Sequence, residues 1–181
     1  MADSTGLGRR AALRVATAGD ARLVSQLGAR LFAQAFGSDN SSENIEAYVG
    51  GAFSVAQQTA ELADEARVTW IAQDAGGAAV GYAMVCRGQT GNGVAGSLQA
   101  QVQRVYVDEA WHRQGVGEML INACIDQART WHCDVLWLAV WDKNAGAIAF
   151  YMKMGFASAG VETFMLGADP QNDIVMARPI G

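Results

Sequence analysis

The stretch Val102–Phe156, VQRVYVDEAWHRQGVGEMLINACIDQARTWHCDVLWLAVWDKNAGAIAFYMKMGF, constrains the fold more than any other part of the chain. A strand runs into a glycine-containing turn, then an amphipathic helix, then a continuously apolar strand at Val135–Val140. A second helix follows, opening with Asn144 and ending in Gly155-Phe156. Two strands joined by a crossover helix form a parallel pair, and the apolar run of the second strand fits burial on both faces. A helix N-terminus behind a glycine turn presents free backbone N–H groups and a partial positive charge, which suits a pyrophosphate. The chain is therefore expected to bind a phosphate-bearing cofactor at that turn.

Within Leu98–Val107 the apolar residues fall on Leu98, Ala100 and Val102, then on Val105 and Val107. This change of phase near Gln103-Arg104 is the mark of a β-bulge, which bends a strand and frees ladder groups. A bulged strand beside a straight one splays from it toward the C-terminal end and opens a slot level with the turn. An ordinary two-faced strand with no slot is the other reading of the pattern.

Upstream, Ala12–Ala16 reads as a first strand. Leu23, Val24, Leu27, Leu31, Phe32 and Ala35 then recur at helical spacing toward Gly37 as C-cap. Asn40 with Glu43 predicts a capping box for a second helix carrying Ile45, Tyr48, Val49 and Ala52. Ser54 with Gln57 opens a third, running to about Ala66. Val68–Gln73 and Ala78–Val85 read as a hairpin, and a glycine-rich loop, residues 87–96, precedes the bulged strand. The order is strand-rich in the middle and βαβα after residue 98. It predicts a mixed α/β (α+β) sheet with helices on both faces.

With 181 residues, 51% hydrophobic and 17% charged, the chain suffices for one globular domain at 11–181, behind a disordered leader at 1–10. A net charge of −5 lacks the basic footprint of a general nucleic-acid binder. No apolar run approaches membrane-spanning length and MADSTGLGRR has no apolar signal core, so a cytoplasmic protein is expected. Cys86, Cys124 and Cys133, without CxxC spacing, and the two histidines His112 and His132 give neither a disulfide framework nor a zinc set; no metal is expected.

The turn itself is His112-Arg113-Gln114-Gly115-Val116-Gly117. Gly115 and Gly117 let a ligand approach the backbone, although taken alone they could serve turn geometry only. A P-loop would need Lys and Ser/Thr where Glu118 and Met119 stand. A dinucleotide fingerprint needs a small residue where Leu120 stands. The helix behind the turn carries the stripe Val116, Met119, Leu120, Ala123, Cys124, Ala128 and Trp131.

Together these segments resemble the GNAT family of acyl-CoA-dependent N-acetyltransferases. The resemblance covers nearly the whole chain and is strongest over Gln103–Phe156. The family's pyrophosphate motif, Q/R-x-x-G-x-G/A, is matched by His112, Gly115 and Gly117. His stands at its first position, a shorter contact that Arg113 could replace. The second motif, an Asn leading into FYxKxGF, is matched by Asn144 and by Phe150-Tyr151-Met152-Lys153-Met154-Gly155-Phe156. Tyr48–Phe53, Trp141–Phe156, and Thr163–Gly167 followed by Asp173–Met176 are similar to the bacterial spermidine/spermine N-acetyltransferases.

The resemblance implies the GNAT fold: a mixed sheet of six or seven strands, bulged and splayed between its two central parallel strands. It also implies acetyl-CoA as co-substrate. The pantetheine arm would pair with the backbone of Val105, Tyr106 and Val107, with the Val107 N–H polarising the thioester. The pyrophosphate would fall on His112, Arg113, Gln114, Gly115, Val116, Gly117 and Glu118, with Asn144 against the arm and Lys153 reaching a phosphate. Tyr151 would be the general acid. Plainer readings stand beside these. Tyr151 could merely pack, at the border of an inward stripe of Ala145, Ile148, Ala149 and Met152. Asn144 could be only an N-cap, Gly155 a left-handed C-cap, and Lys153 a solvated lysine.

Many relatives carry a glutamate on the bulged strand as general base; Gln103 stands here and cannot serve. Asp39, Glu43 and Glu46 could bind a polyamine or relay protons, or be only helix-dipole partners. Cys124, on the apolar stripe, reads as a small buried hydrophobe, so an acyl-cysteine route is not expected. The expected activity is direct acetyl transfer to a primary amine, a polyamine or another small cationic amine. Amino-acid, aminoglycoside or protein-amine acceptors, and a non-catalytic acyl-CoA sensor, are the alternatives. An exposed edge at Gly160–Leu166 with Ile174–Arg178 could pair two subunits into a homodimer. No nucleic-acid or membrane partner is expected.

Overall fold

A computed structural model describes residues 10–180 of the chain; the leader expected at 1–10 lies, apart from Arg10, outside the described residues. The strands are β1 (Ala11–Val15), β2 (Arg67–Asp74), β3 (Ala79–Arg87), β4 (Gln99–Val107), β5 (Val135–Trp141), β6 (Ala157–Leu166) and β7 (Asp169–Pro179). The helices are α1 (Ala21–Phe36), α2 (Ser42–Ala52), α3 (Val55–Ala63), α4 (Val116–Thr130) and α5 (Ala145–Lys153). The seven strands form one sheet in the order β1-β2-β3-β4-β5-β7-β6. Of its six neighbour pairings only β4–β5, at the centre, is parallel.

Strand alternation divides the core between the two faces of the sheet. On one face Ala83, Val102, Leu138 and Met176 pack with Leu120 and Cys124 of α4 and Tyr151 of α5. On the other, Ile71, Tyr82 and Leu166 pack with Leu31 and Phe32 of α1, Ile45 of α2 and Phe53. Helices thus cover both faces, as the strand-helix order predicts. The buried stripe of α4 includes Ile121 and Ile125 beside Val116, Leu120, Cys124 and Ala128, which turns the helix further into the sheet than the expected stripe.

Several local expectations are corrected. Asn40 does not cap α2: Ser41 does, its hydroxyl accepting from the Asn44 N–H at 3.3 Å. Asn40 instead donates back to the Phe36 carbonyl and accepts from Gln171. Ser54 does cap α3, but the helix ends at Ala63, because Asp64 turns to accept from the Ala66 N–H and Arg67. In α5 the inward residues are Ala147, Ile148 and Tyr151, whereas Ala145, Ala149 and Met152 are exposed. Gly155, at φ 86°, closes that helix with Phe156 N–H to Tyr151 C=O and Gly155 N–H to Met152 C=O, the paired bonds of a Schellman cap.

The glycine-rich loop between β3 and β4 is pinned across the sheet. Trp137 Nε1 donates to the Gln89 carbonyl, Asn92 Nδ2 donates to the Val161 carbonyl, and the Ser97 and Leu98 N–H groups donate to Asp134. Of the expected edge, Ile174–Arg178 lies in β7 between β5 and β6, so only its β6 part is an edge; it is partly closed by this loop, and the part beyond Val161 remains.

A candidate active site at the β4–β5 splay

The bulge lies where the hydrophobic phase changes. Met84 pairs with Arg104 and Val85 with Val102, leaving Gln103 as the extra residue. Its cause is a polar demand on the α1 side of the sheet. Arg104 turns there to meet Glu61 at 2.5 Å, under the Phe53 ring at 5.2 Å, with both charged side chains less than a tenth exposed. Burial, the largest influence, pulls the Arg104 pKa down, but the hydrogen bond it donates to Glu61 and the surrounding electrostatics together outweigh it, and the guanidinium stays charged. Arg67 donates to the Gln103 side chain.

Beyond the bulge β4 parts from β5. The parallel ladder consists of Gln99–Val135, Ala100–Leu136 and Gln101–Trp137, and no pair follows. Carried past the one-residue bulge, the same register sets Tyr106 level with Trp141. The Asp108 N–H donates to Val80 of β3, so by alternation Tyr106 also presents its backbone to β3, while Val105 and Val107 present theirs to the slot. Backbone pairing with an occupant thus narrows from Val105–Val107 to Val105 and Val107. The Val107 carbonyl is engaged by His112 Nε2 at 2.9 Å; a carbonyl only accepts, so this ring carries its proton on Nε2.

His112 therefore points back at β4 rather than out over the turn. Arg113 adopts φ 59°, a left-handed conformation that favours glycine, and Gly115 follows at φ 82° as N-cap of α4 with no side-chain cap. The Gln114 side chain donates to Ala110 C=O. The Met119 N–H bonds to Gly115 C=O. Among the described residues no acceptor faces the N–H groups of Val116, Gly117 and Glu118, the orphan donors of the first turn. A Cβ on Gly117 would stand 3.5 Å from Phe150 of α5, an ordinary contact, so the approach of the two helices does not itself require glycine here. Lys153 is exposed on the far side of α5. Asn144 caps α5 through Oδ1, accepting from the Ala147 N–H, which leaves its amide N–H groups free to donate.

Tyr151 is the buried residue of α5, 8% exposed, with Phe150 at 5.3 Å and Phe156 at 5.9 Å between ring centroids. Its hydroxyl has no hydrogen-bond partner among the described residues and is not among the sealed polar atoms, so it meets solvent. Burial pushes the phenol well above its ordinary pKa. Cys124 is fully buried and its thiol is pushed up by burial alone, which leaves it no thiolate.

On the α1 side the slot opens into an aromatic basin. Phe36 faces Trp141 at 6.2 Å, and Tyr48 faces Phe164 at 5.1 Å. Asp39, Glu43 and Glu46 lie exposed outside it. The carboxylates that belong to it, Asp173 and its cross-strand neighbour Glu162, were not among the sequence candidates. The only signal was an Asp leading directly into Ile174-Val175-Met176. Shallow depressions by the β2–β3 turn, near Asp74 and Ala75, carry none of these groups.

The model of the acetyltransferase (GNAT) family matches residues 30–156. The chain belongs to that family. It is an N-acetyltransferase with acetyl-CoA as co-substrate, and the ready cradle at Val116–Glu118 and the strand-wide slot fit a pyrophosphate and an extended amide arm. The chain is 32% identical over 161 residues to an uncharacterized N-acetyltransferase of Mycobacterium tuberculosis, covering 89% of this chain and 98% of that one. Over 84 residues it is 36% identical to the ribosomal protein bS18-alanine N-acetyltransferase of Escherichia coli, covering 45% of this chain and 57% of that one. In fold it resembles the PaiA N-acetyltransferase of Thermoplasma acidophilum crystallised with coenzyme A, with a TM-score of 0.74 at 17% identity, covering 94% and 99% of the two chains.

Proposed function

We propose that this acetyltransferase passes the acetyl group directly to the primary amine of a small cationic acceptor, a polyamine being the leading candidate. The observation that carries the direct route is the β4–β5 slot, whose residues Val105, Val107 and Val140 pack in the same cluster as Tyr151, with the Tyr151 hydroxyl reached by solvent and no reactive thiol in place. In this reading Val105 and Val107 hydrogen-bond the coenzyme's arm as a missing strand would. The Val107 N–H polarises the thioester carbonyl, and the first-turn N–H groups of α4 take the pyrophosphate. The Asn144 amide donates to the arm. Tyr151, kept protonated by burial, delivers a proton to the departing sulfur.

A protein amine is the second reading, favoured by the likeness to the bS18-alanine N-acetyltransferase over part of the chain. Thiol release from acetyl-CoA with spermidine, spermine and an alanine-initiated peptide separates the two. Tyr151→Phe should lower kcat by about 10²–10⁴-fold with the acetyl-CoA affinity unchanged; equal kcat would remove Tyr151 as the acid. The protein acts in the cytoplasm in this reading, and its homodimer, if formed, uses the free part of the β6 edge, where Met165 is exposed. Light scattering across dilution that finds only monomer would exclude that dimer.

A further inference from the structure

Amine transfer needs a proton acceptor, and the basin supplies few. Gln103 is an amide occupied by Arg67. The phenols of Tyr48 and Tyr106 are pushed up by burial, so both stay protonated at neutral pH. Asp173 remains. It is 8% exposed, and neither carboxylate oxygen has a hydrogen-bond partner among the described residues. Oδ1 is sealed from solvent, whereas Oδ2 is not among the sealed atoms and is reached by solvent.

The surroundings withhold a cation from it. Glu162 faces it across β6, Asp142 follows β5, and the Tyr48 phenol of α2 lies within electrostatic reach. Lys143, the nearby cation, stacks over the Trp141 ring at 5.5 Å and forms no ion pair with Asp173. A buried carboxylate left without a partner is costly in a fold and is a vacancy suited to a cationic ligand. Asp173 pairs with Trp141, and Trp141 is level with the slot residues Val105–Val107. Asp173 thus stands about one strand spacing, roughly 5 Å, beyond the edge of the slot. It lies on the face opposite Tyr151, whose ring belongs to the α4 side.

Resting on the acetyl-transfer reading above, we infer that Asp173 receives the acceptor's ammonium group and takes its proton, with Glu162 beside it attracting a second positive charge on the same acceptor. The acceptor is then a di- or polyamine. The ammonium gives one proton to Asp173, and the neutral nitrogen forms the C–N bond as the C–S bond breaks. The sulfur takes the Tyr151 proton, and the phenolate recovers the second proton that the nitrogen sheds. One proton leaves to solvent from Asp173, so the balance closes. Acid and base approach the slot from opposite faces of the sheet and do not neutralise each other.

The test is the pH profile of kcat/KM for spermidine and spermine in wild type, Asp173→Asn and Glu162→Gln. Burial first, and then the charges of Glu162 and Asp142, raise the Asp173 pKa to about 6. The wild-type rate should therefore rise with pH through that region, far below the amine's own ionisation near pH 10. Asp173→Asn should lower kcat/KM at pH 7 by about 10²–10⁴-fold and erase this limb, with acetyl-CoA binding by calorimetry unchanged. Glu162→Gln should move the limb to lower pH, because a like charge is gone. A limb retained in Asp173→Asn overturns the inference. If that variant does not fold, an unmoved limb in Glu162→Gln does so. Absence of wild-type turnover with any amine overturns the acetyl-transfer reading and this inference together; turnover with the alanine-initiated peptide but neither polyamine overturns the polyamine assignment.

Discussion

Asp173 occupies a position that an apolar residue would fill more stably, between Trp141 and Glu162 in a strand that continues Ile174-Val175-Met176. Its raised pKa of about 6 has a consequence for stability apart from any rate. Between the unfolded carboxyl value near 3.9 and that higher one, the folded chain binds more protons than the unfolded chain. Stability contributed by the protonated form is complete below the lower value and is lost as pH rises through the upper one. Asp173→Asn should therefore melt at a higher temperature than wild type at pH 8, and the two should converge near pH 3.5. A lower Tm for the variant at pH 8 would mean that the carboxylate has a stabilising partner. Such a gain in stability at the expense of activity is common where a residue is kept for chemistry. Gln103 shows the converse: it stands at the bulge, where the family resemblance led one to expect a base, and Arg67 holds it as a structural amide.

Among the elements, the start of α4 depends most on one backbone angle. Gly115 at φ 82° turns the chain so that the first-turn N–H groups face outward. Gly115→Ala should cost about 1–2 kcal/mol of left-handed strain and raise KM for acetyl-CoA more than it lowers kcat, which steady-state kinetics with varied acetyl-CoA would show. The bulge of β4 was legible because alternation has a strict period of two, and one extra residue reverses every later side chain. The inward face of α5 was not. Ala145-Gly146-Ala147-Ile148-Ala149 offers almost no polar contrast, so its rotation is set by Tyr151 and Met154 against the core rather than by periodicity. The cap of α2 slipped by one position because Asn40 and Ser41 are both good caps, and Gln171, distant in the chain, claimed Asn40. Breaking the Glu61–Arg104 pair by replacing one partner would cost roughly 3–5 kcal/mol, because the other charge would stay buried beside the bulge.

For the whole molecule, one sheet running from Ala11 to Pro179 should unfold in a single transition. Acetyl-CoA at a hundred times its Kd should raise stability by about 2.7 kcal/mol, roughly 5–10 °C for a chain of this size. Two separate transitions in calorimetry would contradict the single domain expected at 11–181. The fold was readable, and the proposed cofactor side of the site could be formulated, because the residues concerned are contiguous along one strand-turn-helix. The proposed acceptor side was not, because Asp173 and Glu162 meet Trp141 and Tyr48 only through the β5–β7–β6 pairing, and nothing local marks that meeting.

The β4–β5 ladder has a mechanical consequence. Three rungs, Gln99–Val135 to Gln101–Trp137, join one block of strands, β1 to β4, to the other, β5, β7 and β6. Asp134 clasps the closed end through Ser97 and Leu98. Val107, whose N–H is proposed to polarise the thioester, rides on the first block, and Trp141 and Asp173 ride on the second. Their separation is a jaw opening, and the body filling the jaws sets it. A donor as thick as a strand sets the gauge between the two blocks. A bare acetyl donor such as acetyl phosphate would leave the jaws ungauged and the reacting groups out of step, so donor selectivity follows from thickness as well as from contacts.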